Sequence, residues 1–302
     1  MSTPANSPTI HTAPAPVLNI DAFIPPEMAV KAEDIGVKKA NMGPRNTFAL
    51  AVLAGAFIAL GAIFATTVTT GASGQLTYGV GRLVGGLAFC LGLILVVVAG
   101  AELFTGNNLI VMAWADRRLP IRKVLRNWGL VYAGNFVGAI ATVILMFLTK
   151  QYLFNSGAVG LNILTIANTK CSLGFMQAIA LGVMCNALVC LAVWLCFSAR
   201  TTTDKILSII FPITAFVAAG FEHSVANMYF IPIGLLVKAG AAPDFWVAIG
   251  KTAADFPKLT WYNFFVANLL PVTIGNIIGG AVMVGLVYWF IYIRKGLTQL
   301  PG

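Results

Sequence analysis

The chain has 302 residues, of which 59% are hydrophobic and 10% are charged. Soluble domains carry about a quarter charged residues, so this composition excludes a soluble protein and indicates one that crosses a membrane several times. The net charge of +9 would suggest nucleic acid in a soluble chain. Here the basic residues lie mostly in short loops, which is typical of a membrane orientation signal, and we expect no nucleic-acid partner.

The first 46 residues precede the apolar part of the chain. Residues 1–21 are rich in Pro, Ser and Thr and have neither the basic start nor the apolar centre of a secretory signal, so we expect a disordered cytoplasmic tail. Residues 22–46 carry mixed charges and have prolines at positions 25 and 26. Because proline is favoured at a helix start, this stretch predicts an N-terminal cytoplasmic helix.

Six apolar segments follow, each long enough to cross a hydrocarbon core of about 30 Å. They predict an all-α membrane domain over residues 47–295 and a short cytoplasmic tail at 296–302. An even number of crossings puts both termini on one side, and that side then collects 13 of the 19 Lys and Arg residues. This excess predicts cytoplasmic termini. The segments are residues 47–70, 83–115, 128–149, 173–199, 206–237 and 263–293.

The second and fifth segments, with 33 and 32 residues, are longer than one crossing requires. As straight helices they would each reach about 50 Å. Each also has polar residues in its second half, in AELFTGNN (101–108) and FEHSVAN (221–227). We therefore predict that both helices are broken at these places.

The two breaks match each other in sequence. AGAELFTGN (99–107) and AGFEHSVAN (219–227) share the pattern A-G-x-E-x-x-x-x-N, and GNFVGA (134–139) matches GNIIGG (275–280) in the same way. Because each half of the domain has three crossings, the halves insert in opposite directions. The pattern predicts two inverted three-helix repeats with a transport pathway near the middle of the membrane.

Ionisable residues within the apolar segments are functional by default. Close packing of small residues would explain the matched glycines, but not the matched acids Glu102 and Glu222, nor His223 beside the second acid. The five cysteines form no CxxC pair and are expected to pack as small hydrophobes. The only other histidine is His11, which argues against paired haem ligands. We therefore expect no cofactor and no metal.

Five stretches have a specific combination of residues: AELFTGN, NWGLVYAGNFVGA, LVCLAVW, GFEHSVANMYFIP and PVTIGNIIGG. Together they resemble the formate/nitrite transporter family, most closely its formate channels, over residues 22–295. The resemblance implies an aquaporin-like homopentamer with one pore in each protomer, without enzymatic activity. It also implies a multi-pass protein in the bacterial inner membrane, surrounded by lipid, with formate as its small-molecule partner.

The resemblance also implies which residues form the pathway. Some formate channels of the family have histidines just before the fourth span. This chain has NTKCSLGF (168–175) there, which leaves open how the outer vestibule of the pore responds to pH. The implied polar pathway residues are His223, Thr105, Lys170, Asn186, Asn227, Asn276, Glu102 and Glu222. The implied residues of the apolar constrictions are Phe89, Leu93, Leu103, Phe104 and Phe216.

Physical chemistry suggests a task for each polar residue. An anion crosses an apolar constriction at a high cost because water is excluded, and Lys170 can attract it to the mouth. Imidazole has an unperturbed pKa of about 6.5, so His223 can give the anion a proton or hold a positive charge beside it. Thr105 is expected to face His223, and Glu222 to hold the local backbone geometry.

Other functions remain open at this stage. Nitrite or hydrosulfide transport would use the same scaffold as formate transport. A neutral-solute aquaporin-like channel would be expected to show two NPA motifs, whereas the breaks here contain GNN and ANM. A membrane enzyme or redox subunit would need a metal-ligand cluster or a nucleophile beside a base, and one histidine with scattered cysteines supplies neither.

Overall fold

The computed structural model describes residues 21–72 and 74–294, whose regular elements are helices. The two predicted tails lie outside these residues, apart from Asp21. The α-helices are α1 (Pro25–Asn41), α2 (Pro44–Val68), α3 (Tyr78–Ile94), α4 (Val111–Ala115), α5 (Ile121–Leu148), α6 (Ala158–Lys170), α7 (Phe175–Ser198), α8 (Thr202–Ala219), α9 (Ser224–Gly240), α10 (Pro243–Ile249), α11 (Leu270–Ile277) and α12 (Val287–Tyr292). The π-helical segments are Leu95–Gly100, Asn263–Leu269 and Ile278–Leu286, and the 3-10 turns are Gly106–Ile110, Gln151–Leu153 and Ala253–Asp255.

Within the described ranges, six helices are long and apolar enough to cross a membrane, which confirms the six predicted apolar segments. Four of them are α2, α5, α7 and α8. The other two are composite: α3 continues through a π-helical turn to give Tyr78–Gly100, and the last crossing, Asn263–Tyr292, joins α11 and α12 with two π-helical segments. A further apolar pair, α9 with α10, is bent by 111°.

Some boundaries differ from the predicted ones. The third crossing was predicted to begin at residue 128, whereas α5 begins at Ile121. Its first turns carry Arg122, Lys123 and Arg126, which lower the local hydropathy although the backbone is already helical. The short helices α6 and α10 lie in stretches that showed no apolar run of crossing length.

The crossing Tyr78–Gly100 ends at a glycine with positive φ, and another such glycine directly follows α8. Gly100 has φ 84° and Gly220 has φ 79°, a left-handed conformation that glycine adopts without steric cost. After Gly100 the chain is extended at Ala101 and becomes helical again at Gly106. After Gly220 it becomes helical again at Ser224, where α9 starts. Regular helix is therefore interrupted at both places where polar residues follow the apolar run.

Close helix packing explains the glycines in GNFVGA (134–139) and GNIIGG (275–280). A Cβ at Gly138 of α5 would lie 1.9 Å from the carbonyl oxygen of Val52 on α2, and a Cβ at Gly279 would lie 2.1 Å from that of Val183 on α7. Side chains cannot fit at such distances, so only glycine permits these two backbones to touch. The α2–α5 contact and the contact between α7 and the last crossing thus have the same construction.

Helix α1 packs against the turn Gly106–Ile110 and α4, and α6 packs against α9. Arg118 fixes α1 through Asp34, 2.7 Å away, and through Glu33, 3.4 Å away. Burial raises the pKa of Glu33 to about 7, with the negative charge of Asp116 adding to the shift and Arg118 opposing it. The docking contact of α1 therefore contains a carboxyl that titrates near neutral pH.

Candidate functional site

Two cavities enter the helix bundle, one bordered by α1 and the other by α6, and they have volumes of about 450 and 390 Å³. We call them the α1-side cavity and the far cavity. The α1-side cavity is lined by Lys31, Lys38, Lys39, Leu93, Glu102 and Leu103, among others. The far cavity is lined by Arg82, Phe89, Lys170, Phe216, Glu222 and His223, among others.

A hydrogen bond between Thr105 and His223 joins the two helix interruptions. The Thr105 hydroxyl oxygen lies 3.0 Å from Nε2 of the imidazole. Thr105 is fully buried and His223 is 3% exposed. The contact between these two residues, expected from the sequence, is therefore present in the structure, and it lies where the far cavity ends.

The second ring nitrogen of His223 fixes the tautomer. Nδ1 accepts a hydrogen bond from the backbone N–H of Ala226, 3.0 Å away, as the N-cap of α9. A backbone N–H is only a donor, so Nδ1 carries no proton in this arrangement and the neutral ring has its proton on Nε2. That proton is donated to Thr105, whose own hydroxyl hydrogen is then free to be donated elsewhere. A second proton on Nδ1 would break the cap.

Apolar side chains separate the two cavities. Phe89 contacts Phe216 edge to face, with 5.7 Å between ring centroids, and Phe216 stacks on the His223 ring at 6.0 Å. Leu93 follows Phe89 by one turn of α3 but borders the α1-side cavity, together with Leu103. The four residues from Phe89 to Leu93 rise about 6 Å along the helix, so the apolar barrier between the two cavities is short.

The far cavity contains an ion pair between Lys170 and Glu222. Nζ lies 2.8 Å from Oε1, and the two side chains are 16% and 6% exposed. Oε2 of the same carboxylate accepts from Asn227 at 2.6 Å and from Asn268 at 3.3 Å. Asn268 also donates to the backbone carbonyl of Lys170. The buried carboxylate is thus satisfied on both oxygens, as a buried charge requires.

The α1-side cavity has a matching ion pair. Lys39 lies 2.9 Å from Oε1 of Glu102, whose Oε2 accepts from Asn107 at 2.7 Å. Asn107 in turn donates to Asn127 at 2.9 Å and accepts from Lys39 at 2.8 Å. Each interruption thus has one buried glutamate, one lysine at the end of a short helix and two asparagines.

Two further asparagines hold the backbone of the interruptions. Asn135 donates to the carbonyl of Glu102 at 2.9 Å and accepts from the N–H of Phe104 at 2.9 Å. Asn276 donates to the carbonyl of Glu222 at 3.0 Å and accepts from the N–H of Ser224 at 2.9 Å. These side chains supply partners for backbone groups that the missing helical turns leave unpaired.

Asn186 connects the two halves. Its Nδ2 lies 3.2 Å from the Thr105 carbonyl, 2.9 Å from Oδ1 of Asn108 and 2.7 Å from the carbonyl of Asn276. Asn186 and Asn276 therefore act behind the cavity walls, on the backbone. Phe104 also lies away from both cavities, because its ring packs against Tyr132 with 4.9 Å between centroids.

Sequence reasoning did not single out Lys39 as a site residue, although a signal was present. Lys39 and Lys170 differ by 131 positions, as do Leu50 and Leu181, whose carbonyls accept from the backbone N–H groups of Glu102 and Glu222 respectively. The motifs at 99–107 and 219–227 are 120 positions apart, and those at 134–139 and 275–280 are 141 positions apart. The pairs that are 131 positions apart share too few residues to be noticed without the contacts.

The remaining charged groups on the cavity walls are basic. Arg82 borders the far cavity, and Lys31, Lys38 and Lys205 border the α1-side cavity. Within residues 21–72 and 74–294, no group of three or more His, Cys, Asp or Glu side chains is arranged to hold a metal ion. Both cavities thus present excess positive charge to an arriving ligand, which favours anions.

These features define a polytopic membrane protein of the channel or transporter class. The family model for the formate/nitrite transporter matches residues 26–290. The chain is 48% identical to the formate channel FocA of Escherichia coli K12 over 275 residues, covering 91% of this chain and 96% of the relative. It is 42% identical to the formate channel FocA of Haemophilus influenzae over 265 residues, covering 88% and 93%.

A solved structure is also similar to this chain over most of its length. A pentameric formate channel with formate bound has a TM-score of 0.79 and 47% sequence identity to this chain, and the match covers 83% of this chain and 98% of that one. The chain therefore belongs to the formate/nitrite transporter family. The resemblance predicted from the sequence motifs is confirmed.

Proposed function

We propose that this chain forms a homopentameric, aquaporin-like channel of the bacterial inner membrane that conducts formate, with one pathway in each protomer. The relatives named as formate channels and the match to a pentameric channel support the substrate and the assembly. The observation that carries the mechanism is the Thr105–His223 hydrogen bond of 3.0 Å at the apolar barrier between two basic cavities.

In this mechanism the anion crosses the barrier as the neutral acid. Passing Phe89, Phe216 and Leu93 as a bare ion would cost several kcal/mol, because water is excluded there. When His223 takes up a second proton on Nδ1, its Nε2 proton passes to Thr105 while the Thr105 hydroxyl proton passes to a formate oxygen. Formic acid and a neutral ring protonated on Nδ1 result.

The cap of α9 resets the histidine. Nδ1 gives its proton to water of the far cavity and Nε2 takes one proton back from the same water, after which Nδ1 again accepts from the N–H of Ala226. Proton transfer is thereby coupled to opening of the first turn of α9. This coupling makes flux depend on pH through one buried residue whose resting tautomer is set by the backbone.

Replacing His223 tests this proposal. His223→Asn keeps a hydrogen-bond donor of similar reach but cannot exchange protons. Formate flux and internal pH are recorded together in proteoliposomes from about pH 5 to pH 8, a window that brackets the unperturbed imidazole pKa of about 6.5. We expect assembly to be retained and proton-linked flux to fall. Thr105→Val, which removes the hydroxyl relay at similar volume, should behave in the same way.

A cysteine variant serves as the control for the His223 experiment. Cys90→Ser changes a buried side chain on α3 that belongs to neither cavity wall and should keep the wild-type pH profile. Equal flux and equal proton stoichiometry in wild type and His223→Asn over the whole window would show that His223 does not handle the proton. Nitrite, hydrosulfide and glycerol, offered in the same liposomes, determine whether formate is the preferred solute.

We further propose that the two halves are inverted repeats and that the α1-side cavity faces the cytoplasm. The matched interruptions support the first part, and the excess of basic residues beside α1 supports the second. Cysteines introduced at Arg122 and at Asp244, both exposed, should react with an impermeant thiol reagent from opposite sides of the membrane. Reaction of both from one side would refute this topology.

A further inference from the structure

The charges that face the far cavity are not equivalent. Lys170 is neutralised by Glu222, because the two form an ion pair at 2.8 Å. Arg82, one turn into α3, lines the same cavity. Among the described residues its guanidinium has hydrogen-bond partners only in backbone carbonyl oxygens, those of Val217 and Ala218. The net positive charge of this cavity wall therefore belongs to Arg82.

The geometry of the guanidinium leaves one edge open. Nε donates to the carbonyl of Ala218 at 3.1 Å, and Nη2 donates to that of Val217. These two bonds use the edge formed by Nε and Nη2. A guanidinium has five N–H donors, so three of them remain. Two of these three, one on Nη1 and one on Nη2, form an edge that matches a carboxylate in a bidentate arrangement.

Three threonines of the same wall do not offer free donors to an anion. Thr66, Thr69 and Thr165 line the far cavity, but each hydroxyl donates to a carbonyl four positions earlier in its own helix, at 2.8, 2.8 and 2.7 Å. They therefore present oxygen lone pairs to the cavity, which an anion avoids. Arg82 is thus the strongest anion donor on this wall.

We propose that Arg82 forms an oxyanion-binding subsite of the far cavity, in which its Nη1–Nη2 edge holds a small carboxylate before that carboxylate reaches the barrier. The ligand class is a small monovalent oxyanion, with formate as the member that fits the proposed function, on which this inference rests. The carbonyls of Val217 and Ala218 orient the guanidinium, since they belong to the last turn of α8, directly before the interruption at Gly220.

The subsite predicts an affinity effect. A unit charge about 5 Å from an anion in a water-filled cavity changes its binding constant by roughly fourfold. Arg82→Gln, which keeps an N–H donor and removes the charge, should raise the half-saturating formate concentration for flux starting from the far cavity about fourfold. Flux starting from the α1-side cavity should keep its half-saturating concentration, and the difference should shrink at about 1 M salt, where screening acts over about 3 Å.

The matched control is Lys251→Gln. Lys251 is an exposed cation that follows α10 and does not line the far cavity, so the same loss of charge should leave the half-saturating concentration unchanged. Arg82→Lys should lie between wild type and Arg82→Gln, because it keeps the charge and loses the bidentate edge.

A second readout does not depend on transport. Formate should raise the thermal midpoint of the purified wild-type pentamer by mass action. The reference buffer contains a bulky anion in place of formate, so that the ionic strength is the same. Formate should do so for Lys251→Gln and much less for Arg82→Gln. If the proteins show no formate flux but formate still raises the midpoint of wild type more than that of Arg82→Gln, the proposed function fails and the subsite stands. An equal rise in all three proteins overturns the subsite.

A cysteine variant covers the case in which Arg82→Gln does not assemble. The five native cysteines are buried, so Arg82→Cys can be modified selectively after purification. A cationic thiol reagent should restore a low half-saturating concentration and an anionic reagent of similar size should raise it further, on the same folded protein. Identical effects of the two reagents would show that Arg82 acts only as a brace for α8, which overturns the proposal.

Discussion

Removing the Lys170 ammonium should destabilise the protein through the carboxylate that it leaves behind. In Lys170→Met the methionine fills a similar volume. Glu222, 6% exposed, then keeps, among the residues that the structure describes, only the amide donors of Asn227 and Asn268. A buried carboxylate without its cation is the costly state, and it lies directly beside the route of an anion. Both stability and flux should therefore fall.

The contacts set the magnitude. Two unit charges 2.8 Å apart attract each other by about 6 kcal/mol at an effective dielectric constant near 20, and desolvation offsets a large part of this. Breaking a fully buried pair costs about 3–5 kcal/mol. Because Lys170 is 16% exposed and borders the far cavity, we expect about 2–3 kcal/mol.

A double-mutant cycle isolates this energy. The four proteins are wild type, Lys170→Met, Glu222→Gln and the double variant, and the free energy of unfolding is measured by titration with SDS in detergent. The double variant removes both charges and should be more stable than Lys170→Met by about 2 kcal/mol. Its formate flux should also recover part of the loss, since no unpaired negative charge remains near the path.

The cycle can refute this reasoning. A coupling energy below about 0.5 kcal/mol would place the pair among exposed salt bridges and would contradict the burial that the structure shows. Failure of Glu222→Gln to improve the Lys170→Met protein would show that the lysine acts by itself and not through the carboxylate.

Two further predictions concern the scaffold. Gly138→Ala should destabilise the protein by at least about 1–3 kcal/mol, since its Cβ would lie 1.9 Å from the carbonyl oxygen of Val52. The control is Gly129→Ala on the same helix, where a Cβ would have no atom within 4 Å, so this variant should be neutral or slightly stabilising. Equal SDS titration curves for the two variants would refute the close contact. Because the pKa of Glu33 is raised to about 7, its protonated form is favoured in the folded protein, so the stability it contributes is full below its ordinary pKa near 4.5 and is lost as pH rises through 7. The difference in thermal midpoint between wild type and Glu33→Gln should therefore change between about pH 4.5 and pH 7 and level off above pH 7, and a constant difference over this window would contradict the burial argument.

The sequence was sufficient for the class of protein and for the six apolar crossings. Six apolar runs of crossing length are typical of a membrane protein, and they must be helical because backbone groups in lipid have to be satisfied within the segment. Polar residues in the second half of an overlong run indicated where the helix stops, and the structure has glycines with positive φ there, Gly100 and Gly220. The contact between Thr105 and His223 was also expected, since both lie at interruptions.

The sequence did not determine which partner each charged residue takes. Lys170 was expected to act by its positive charge, but the structure pairs it with Glu222, and Lys39 has the same arrangement with Glu102. Each pair joins a lysine on a helix to a glutamate at a helix interruption far away in the chain, and no local pattern encodes that contact. Cytoplasmic orientation of the termini is a prediction, which the labelling of cysteines at Arg122 and Asp244 tests.

Hydropathy, helix length and repeated motifs are properties of neighbouring residues, so the sequence alone determined the six apolar crossings and the family of this protein. The tertiary structure alone decided the tautomer of His223, through the N–H of Ala226, and the open edge of Arg82, through the end of α8. Both depend on hydrogen bonds with a defined direction, and direction is fixed only when the backbone on either side of a group has its final position.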